Sequence, residues 1–244
     1  MKNGLRFLFL FLFWACSTNA EQSEKQEGNK SSSIISYEVD VLQEHCALYW
    51  KDDDDSLLLS LGRLKEYVES KNQSLSFAMN GGMYMKDHRP QGLFIQAGKT
   101  IVPLDTHSGE GNFYLKPNGV FYLTAEKEAG VCTTSDFKTK THIQYATQSG
   151  PMLLTNGNIN PVFTKGSSNL FVRNGVGILA NQHILFAMSK KPINFYDFAT
   201  FFKEKGCKEA LYLDGFVSRT YLPAKDWKQT DGEFGVMIGV TVSN

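Results

Sequence analysis

Apolar runs of only four or five residues decide what this chain can become. Residues 75–79, 92–96, 112–115, 120–123, 151–154, 176–179 and 184–188 are rich in aliphatic and aromatic side chains and are separated by turn-forming residues. Runs of that length are too short for helices and suit strands. Residues 210–213 and 234–242 continue the pattern, and 37–49 puts Tyr37, Val39 and Val41 on one alternating face of a further strand. Pro117-Asn118-Gly119 and Asn156-Gly157-Asn158 are turn sequences that fit hairpins. The 21 glycines, 18 phenylalanines and 10 tyrosines among 244 residues agree with strands and tight turns.

Two segments break the pattern. Asp52 to Asp55 lead into Ser56 and a helix in which Leu57, Leu61, Leu64 and Val68 recur at helical spacing, the acidic residues offsetting its positive end. A calcium loop would also need alternating oxygen ligands, a glycine at the sixth position and a distal glutamate, and only the acidity is there. At 195–205, Asn194 can cap a second helix, Phe195, Phe198, Ala199 and Phe202 share one face, and Gly206 can stop it. With no fixed-period repeat and no linker in 36–244, the expectation is a single α+β domain with a mixed, mostly antiparallel β-sheet core flanked by helices.

The first residues read as an address. Lys2 and Arg6 precede an apolar run at 7–15 that is too short to span a bilayer as a mature helix and is flanked like a secretory signal peptide. Ala15 stands directly before Cys16, followed by Ser17-Thr18-Asn19, as in a bacterial lipoprotein signal. Residues 1–16 are therefore expected to be a signal ending at a lipidated Cys16, with ordinary cleavage near Ala20 and periplasmic release as the alternative. Both readings export the protein to the cell envelope. Residues 17–35 are polar and aperiodic and are expected to form a disordered tether. Twenty-five basic and twenty-five acidic residues give zero net charge, so no positive field exists to gather nucleic acid, and a membrane enters only through the anchor. Cys46, Cys132 and Cys207 are too widely separated for a metal-binding pair, which leaves one disulfide with a spare thiol, or buried free thiols.

Three places set glycine beside a polar side chain at the end of a predicted strand. In Asn80-Gly81-Gly82-Met83-Tyr84 two glycines let backbone amides approach a ligand, although many hairpins contain such a sequence. Gln148-Ser149-Gly150-Pro151 is a polar turn before an apolar strand. Leu211-Tyr212-Leu213-Asp214-Gly215-Phe216-Val217-Ser218 delivers a carboxylate at a strand end, where Asp214 is either a catalytic acid or a turn-starting aspartate. Arg173, in an apolar surround, suits a buried carboxylate or a phosphate equally. Asp197 fits helix-end compensation better than catalysis. The five histidines form no pair at metal-binding spacing, and there is neither a nucleophile elbow nor a phosphate loop. Ser135 and Lys138 form an isolated S-x-x-K without the companion motifs of penicillin-binding enzymes. No metal or cofactor is expected.

The order of the glycine-bearing motifs is more telling than any one of them. Asn80-Gly81-Gly82-Met83-Tyr84, Gly111-Asn112-Phe113-Tyr114, Lys116-Pro117-Asn118-Gly119, Ala146-Thr147-Gln148-Ser149-Gly150-Pro151, Arg173-Asn174-Gly175-Val176-Gly177 and Leu213-Asp214-Gly215 follow one another over 36–244. In this the chain resembles the bacterial branch of the phosphodiester glycosidase family. The resemblance implies hydrolysis of a sugar 1-phosphodiester at the glycosidic carbon, releasing sugar and a phosphate monoester, without a cofactor. It implies Asp214, Arg173 and Asn80 as catalytic residues, and Gly81, Gly82, Asn112, Gln148, Ser149, Gly150, Asn174, Gly215 and Ser218 as substrate-binding ones. Two departures bear on specificity: Phe216-Val217 stands where the animal branch has two glycines, and Gln91 stands where bacterial relatives more often have a small apolar residue. The bulky pair motivates a rival reading, a catalytically silent glycan-binding lipoprotein using the same cleft.

Overall fold

The computed structural model describes Met1, residues 33–138 and residues 140–243. The expected signal, Cys16 and most of the expected tether lie outside the described residues. A compact unit spans Ile34–Asn244. In chain order its elements are β1 (Ile34–Val39), β2 (His45–Tyr49), α1 (Leu61–Ser70), β3 (Gln73–Gly82), β4 (Phe94–Gln96), β5 (Lys99–Val102), β6 (Gly119–Thr124), β7 (Ala129–Thr133), α2 (Thr134–Phe137), β8 (Ile143–Ser149), β9 (Met152–Thr155), β10 (Asn158–Ile159), β11 (Asn174–Ile178), β12 (Ile184–Ser189), α3 (Phe195–Glu204), β13 (Glu209–Asp214), β14 (Thr220–Leu222), β15 (Trp227–Lys228) and β16 (Val236–Ser243).

The strands form three sheets, ordered β1-β12-β11-β13-β9-β10, β15-β14-β3-β16-β2 and β5-β4-β8-β6-β7. The mostly antiparallel character is as expected, and among the described residues every ladder between named strands is antiparallel. The strands are shared among three sheets rather than gathered in one mixed sheet. One core joins them: Phe186 of the first sheet stacks on Phe77 of the second at 5.3 Å and meets Phe121 of the third edge-on at 5.7 Å. All three rings are 1 % exposed or less. Aromatic pairs of this kind add to the burial that already drives the sheets together.

Local chemistry explains where elements differ from expectation. Residues 37–49 are two strands in two different sheets, because Asp40 turns the chain: its carbonyl accepts from Gln43 and Glu44, and its carboxylate from Leu42. The first helix starts at Leu61, not near Ser56, and carries no acidic residue in its first turn. Ser60 caps it by accepting from the Arg63 N–H, while Asp52 instead closes a turn by accepting from Asp54 and Ser56. Residues Asn112–Tyr114 are a 3-10 turn rather than a strand. Pro117-Asn118-Gly119 feeds β6, where the buried Asn118 amide holds Phe113 O and Thr134 Oγ1, so it is not a hairpin turn.

Elsewhere expectation and structure agree. Asn156 and Gly157, at φ +51° and +76°, make the two-residue hairpin between β9 and β10. Asn194 caps α3, and Gly206 ends it at φ +85° with its N–H on Lys203 O. Phe198, Ala199 and Phe202 bury their shared face against Leu153, Leu154 and Tyr212. Leu61, Leu64 and Val68 of α1 pack with Leu75, Ala78 and Met237. The three described cysteines are free thiols, and burial pushes Cys132 up to about 11 and Cys207 up to about 12.

Candidate active site

Strand ends from all three sheets meet at one polar centre. β3 brings Asn80, β11 brings Asn174, β13 brings Asp214 and β8 brings Ser149. Asn80, Asn174 and Ser149 are fully buried, so their polar atoms must be satisfied by protein. The Asn174 amide donates to Asn80 O at 2.8 Å and to Asn80 Oδ1 at 2.9 Å, while its Oδ1 accepts from the Asp214 N–H at 2.8 Å. The Asn80 amide in turn donates to Asp214 Oδ2 at 3.3 Å, and its Oδ1 accepts from the Arg219 N–H at 3.0 Å. Ser149 Oγ donates to Leu213 O at 2.7 Å, and Ser218 Oγ to Gly215 O at 2.5 Å.

Asp214 sits at the middle of this net. It pairs with Asn174 while its neighbour but one, Tyr212, pairs with Gly175, so the register slips by one residue between them. Such a bulge turns Asp214 to the face opposite Tyr212, where plain alternation would have kept them together. The Gly215 N–H donates to Asp214 Oδ1 at 2.6 Å. Burial pushes the carboxyl up to about 6, against the pull of the Gly215 and Asn80 hydrogen bonds. Asp214 keeps part of its surface open. The group is therefore mainly an anion at neutral pH, poorly solvated and close to its own titration point, as suits a base or nucleophile.

A second cluster lies across Gly215. A side chain there would put its Cβ 2.2 Å from Tyr212 Oη, so only glycine fits. The same hydroxyl interacts with the side chains of Arg173 and Asn112, and burial with the nearby Asp214 charge raises its pKa. Arg173 is 1 % exposed. Its Nε donates to Ile193 O at 2.8 Å and its Nη2 to Asn169 O at 3.0 Å and Asn169 Oδ1 at 2.7 Å. The Phe195 ring lies 3.6 Å from the guanidinium carbon, with Phe171 and Tyr212 each at 5.6 Å. Among the described residues no carboxylate forms an ion pair with it. Of the two readings open for Arg173, the buried carboxylate partner is thus the one the structure lacks.

The remaining predicted residues divide into contacts and braces. Gln148 is a brace: its Oε1 accepts from Leu93 and Asp105 N–H, and its amide donates to Asp105 O and Thr134 Oγ1, which leaves nothing for a substrate. The expectation that it binds substrate is therefore corrected. Gln148→Leu is expected to lower stability by roughly 2–4 kcal/mol in urea unfolding, because it strands buried partners. Gly81, Gly82 and Gly150 are close-packing positions, where a Cβ would come within 2.7 Å of Ile238, 2.6 Å of Thr147 and 2.7 Å of Asn118 respectively. Asp197 accepts from the Asn194 amide at the start of α3, a helix-end role.

Sequence reasoning missed Tyr212 and Asn169 as members of the site. It read Tyr212 as one more apolar strand residue, and nothing around Asn169 marks it. Tyr84, stacked on His88 at 5.5 Å, is a further neighbour, its phenol pKa raised by burial and then by the Asp214 charge. Among the described residues no group of three or more His, Cys, Asp and Glu side chains is placed to hold a metal.

Comparison with known proteins gives the family and the fold. A family model described as phosphodiester glycosidase matches residues 73–241. An Escherichia coli K12 protein named as the uncharacterized YigE is 39% identical over 191 residues, covering 78% of this chain and 74% of its own. The catalytic domain of zebrafish N-acetylglucosamine-1-phosphodiester alpha-N-acetylglucosaminidase, solved in a form auto-inhibited by its pro-peptide, superposes with a TM-score of 0.52 at 13% identity, over 85% of this chain and 88% of that one. A protein from Synechocystis described as hypothetical gives 0.53 at 12% identity, over 86% and 59%. At such low identity the two structures establish a shared fold.

Proposed function

This chain belongs to the phosphodiester glycosidase family, and from that premise we propose that it cleaves a sugar 1-phosphodiester at the glycosidic bond, releasing free sugar and a phosphate monoester. The observation that carries the reading is that the Tyr212 hydroxyl, packed against Gly215, feels both the Asp214 charge and the Arg173 guanidinium, a cation without an ion-paired carboxylate. Asp214 faces the anomeric carbon, and Arg173, with Tyr212 and Asn112, takes the phosphate.

The chemistry fits so sparse a set of groups. Cleaving an alkyl glycoside generally requires an acid to protonate the leaving oxygen and a second carboxylate on the opposite face. A phosphate monoester, with a second pKa of about 6, leaves as a dianion and needs far less protonic help. A guanidinium that meets charge as it builds on the phosphate does the corresponding work. The C1–O bond breaks with its electron pair going to the phosphate oxygen, and water supplies the hydroxyl that ends on C1. Asp214 either attacks C1 or takes the proton from that water. Asn80, Asn174, Ser149 and Ser218 hold the acid and its loop rather than react. Export and a lipid anchor at Cys16 belong to the same proposal and rest on the leader sequence alone.

Phe216 favours a second reading. It is 85% exposed two residues after Asp214, and an open aromatic face beside a polar centre is what a sugar-binding module presents. Incubating the protein with a panel of N-acetylglucosamine-1-phosphodiesters and other sugar 1-phosphodiesters separates the two. Equimolar release of reducing sugar and phosphate monoester is expected. Saturable binding with no turnover across the panel would leave the non-catalytic module.

A further inference from the structure

We propose that Asn169 is a positioning residue that stands in for the phosphate group on Arg173, holding the guanidinium until an oxygen of the phosphate displaces it. The inference rests on the reading of Arg173 as the phosphate holder.

Its starting point is the state of the guanidinium. A fully buried cation normally keeps a carboxylate, because an ion taken out of water without a partner costs several kcal/mol. Arg173 has three neutral carbonyl oxygens, the Tyr212 hydroxyl and three aromatic rings instead. These soften the desolvation but bring no negative charge, so the guanidinium keeps a charge that no ion-paired carboxylate offsets and that an anion would neutralise.

The acceptors differ in how firmly they are held. Ile193 O belongs to backbone paired in both directions with Phe171, so it stays with the fold. Asn169 is an exposed residue, followed by Leu170 at 50% and Phe171 at 44% exposure. It nevertheless places both its backbone oxygen and its side-chain Oδ1 on the same nitrogen of the buried cation. Nη2 is thus the edge that a ligand can claim without disturbing the core. A phosphate oxygen can accept from the same nitrogen, with the charge that the amide lacks. The exchange serves turnover in both directions: the diester displaces Asn169 on arrival, and Asn169 helps to expel the monoester dianion, which Arg173 would otherwise retain.

Inorganic phosphate is the probe, titrated calorimetrically into the full chain as wild type, Asn169→Ala and Asn169→Asp, with Tm measured for each. The alanine variant keeps the backbone oxygen but loses the competing side-chain acceptor, and is expected to bind phosphate about tenfold more tightly, as suits one hydrogen bond to a charged group. The aspartate variant gives Arg173 the carboxylate it lacks and should weaken phosphate binding by about 10²-fold or more. Unchanged phosphate affinity in either folded variant overturns the proposal. Turnover of the sugar phosphodiester panel on the same samples tells the two failures apart. Wild-type turnover with no effect of residue 169 on phosphate sinks this inference and spares the function. The expected phosphate series without turnover sinks the function and spares the anion site.

Discussion

Asp214→Asn is expected to lower kcat by at least about 10³-fold and, in the same protein, to raise stability at neutral pH. The loss follows from removing the carboxylate to which the proposed reaction assigns the sugar carbon. The gain follows from the cost of keeping that carboxylate charged where water cannot reach it fully. Folding raises its pKa from 3.8 to about 6. The folded state therefore binds the proton more tightly than the unfolded state, and stability from this group falls as pH rises from about 4 to about 6. Two pKa units correspond to roughly 3 kcal/mol, an upper bound for what the neutral amide recovers at pH 7.5. Asparagine still offers an oxygen to the Gly215 N–H. Urea unfolding of both proteins at pH 7.5 and pH 4 checks this: the variant should lead at the higher pH, and the gap should close at the lower. A variant that is inactive and also less stable at pH 7.5 would mean that Asp214 is an ordinary turn former.

Arg173→Met is the second large effect expected, a fall in kcat/KM of roughly 10²–10³-fold or more, with stability unchanged or higher. Methionine has a similar reach and would lie among Phe195, Phe171 and Tyr212, where a thioether is better suited than an unpaired cation. Steady-state kinetics beside urea unfolding gives both numbers. If stability drops by several kcal/mol while the folded fraction keeps its activity, the guanidinium is a structural strut. Together the two variants would show that the site's two charges are held at the expense of the fold, one on each side of Gly215.

How far the sequence revealed this arrangement depends on the range of the physics involved. Signals acting within a few residues were legible: Asn194 and Gly206 bounding α3, Asn156-Gly157 turning a hairpin, and Asp214 at a strand end. The four aspartates misled because Asp52 spends its acceptor on a turn and leaves the capping to Ser60. Residues 112–115 look like a strand by composition but have no neighbouring strand to pair with. β5 and β15 are short strands at sheet edges, held by pairing with β4 and β14 rather than by any periodicity of their own. The division into three sheets is decided by which faces of Phe77, Phe121 and Phe186 meet, a long-range choice that alternation along one strand does not encode.

The same distinction holds at the candidate site. Asn80, Asn174 and Asp214 were named from local motifs, and they do meet. Gln148 stood out for its polarity next to Ser149 and Gly150, but its amide is consumed by Asp105, Leu93 and Thr134. Tyr212 was hidden because a bulge, invisible in composition, sends it to the opposite face from Asp214. Asn169 lacked any signal, since its significance lies in the buried cation it touches.

The position of β16 has a consequence for the site. The last strand in the sequence lies between β2 and β3, near the middle of its sheet, and pairs with β3 along its whole length. Asn80 is carried on β3, so the clamp on Asp214 draws part of its backing from residues 236–243. The geometry around Asp214 is therefore complete only when residues 73–82 and 236–243, distant in the chain, lie side by side.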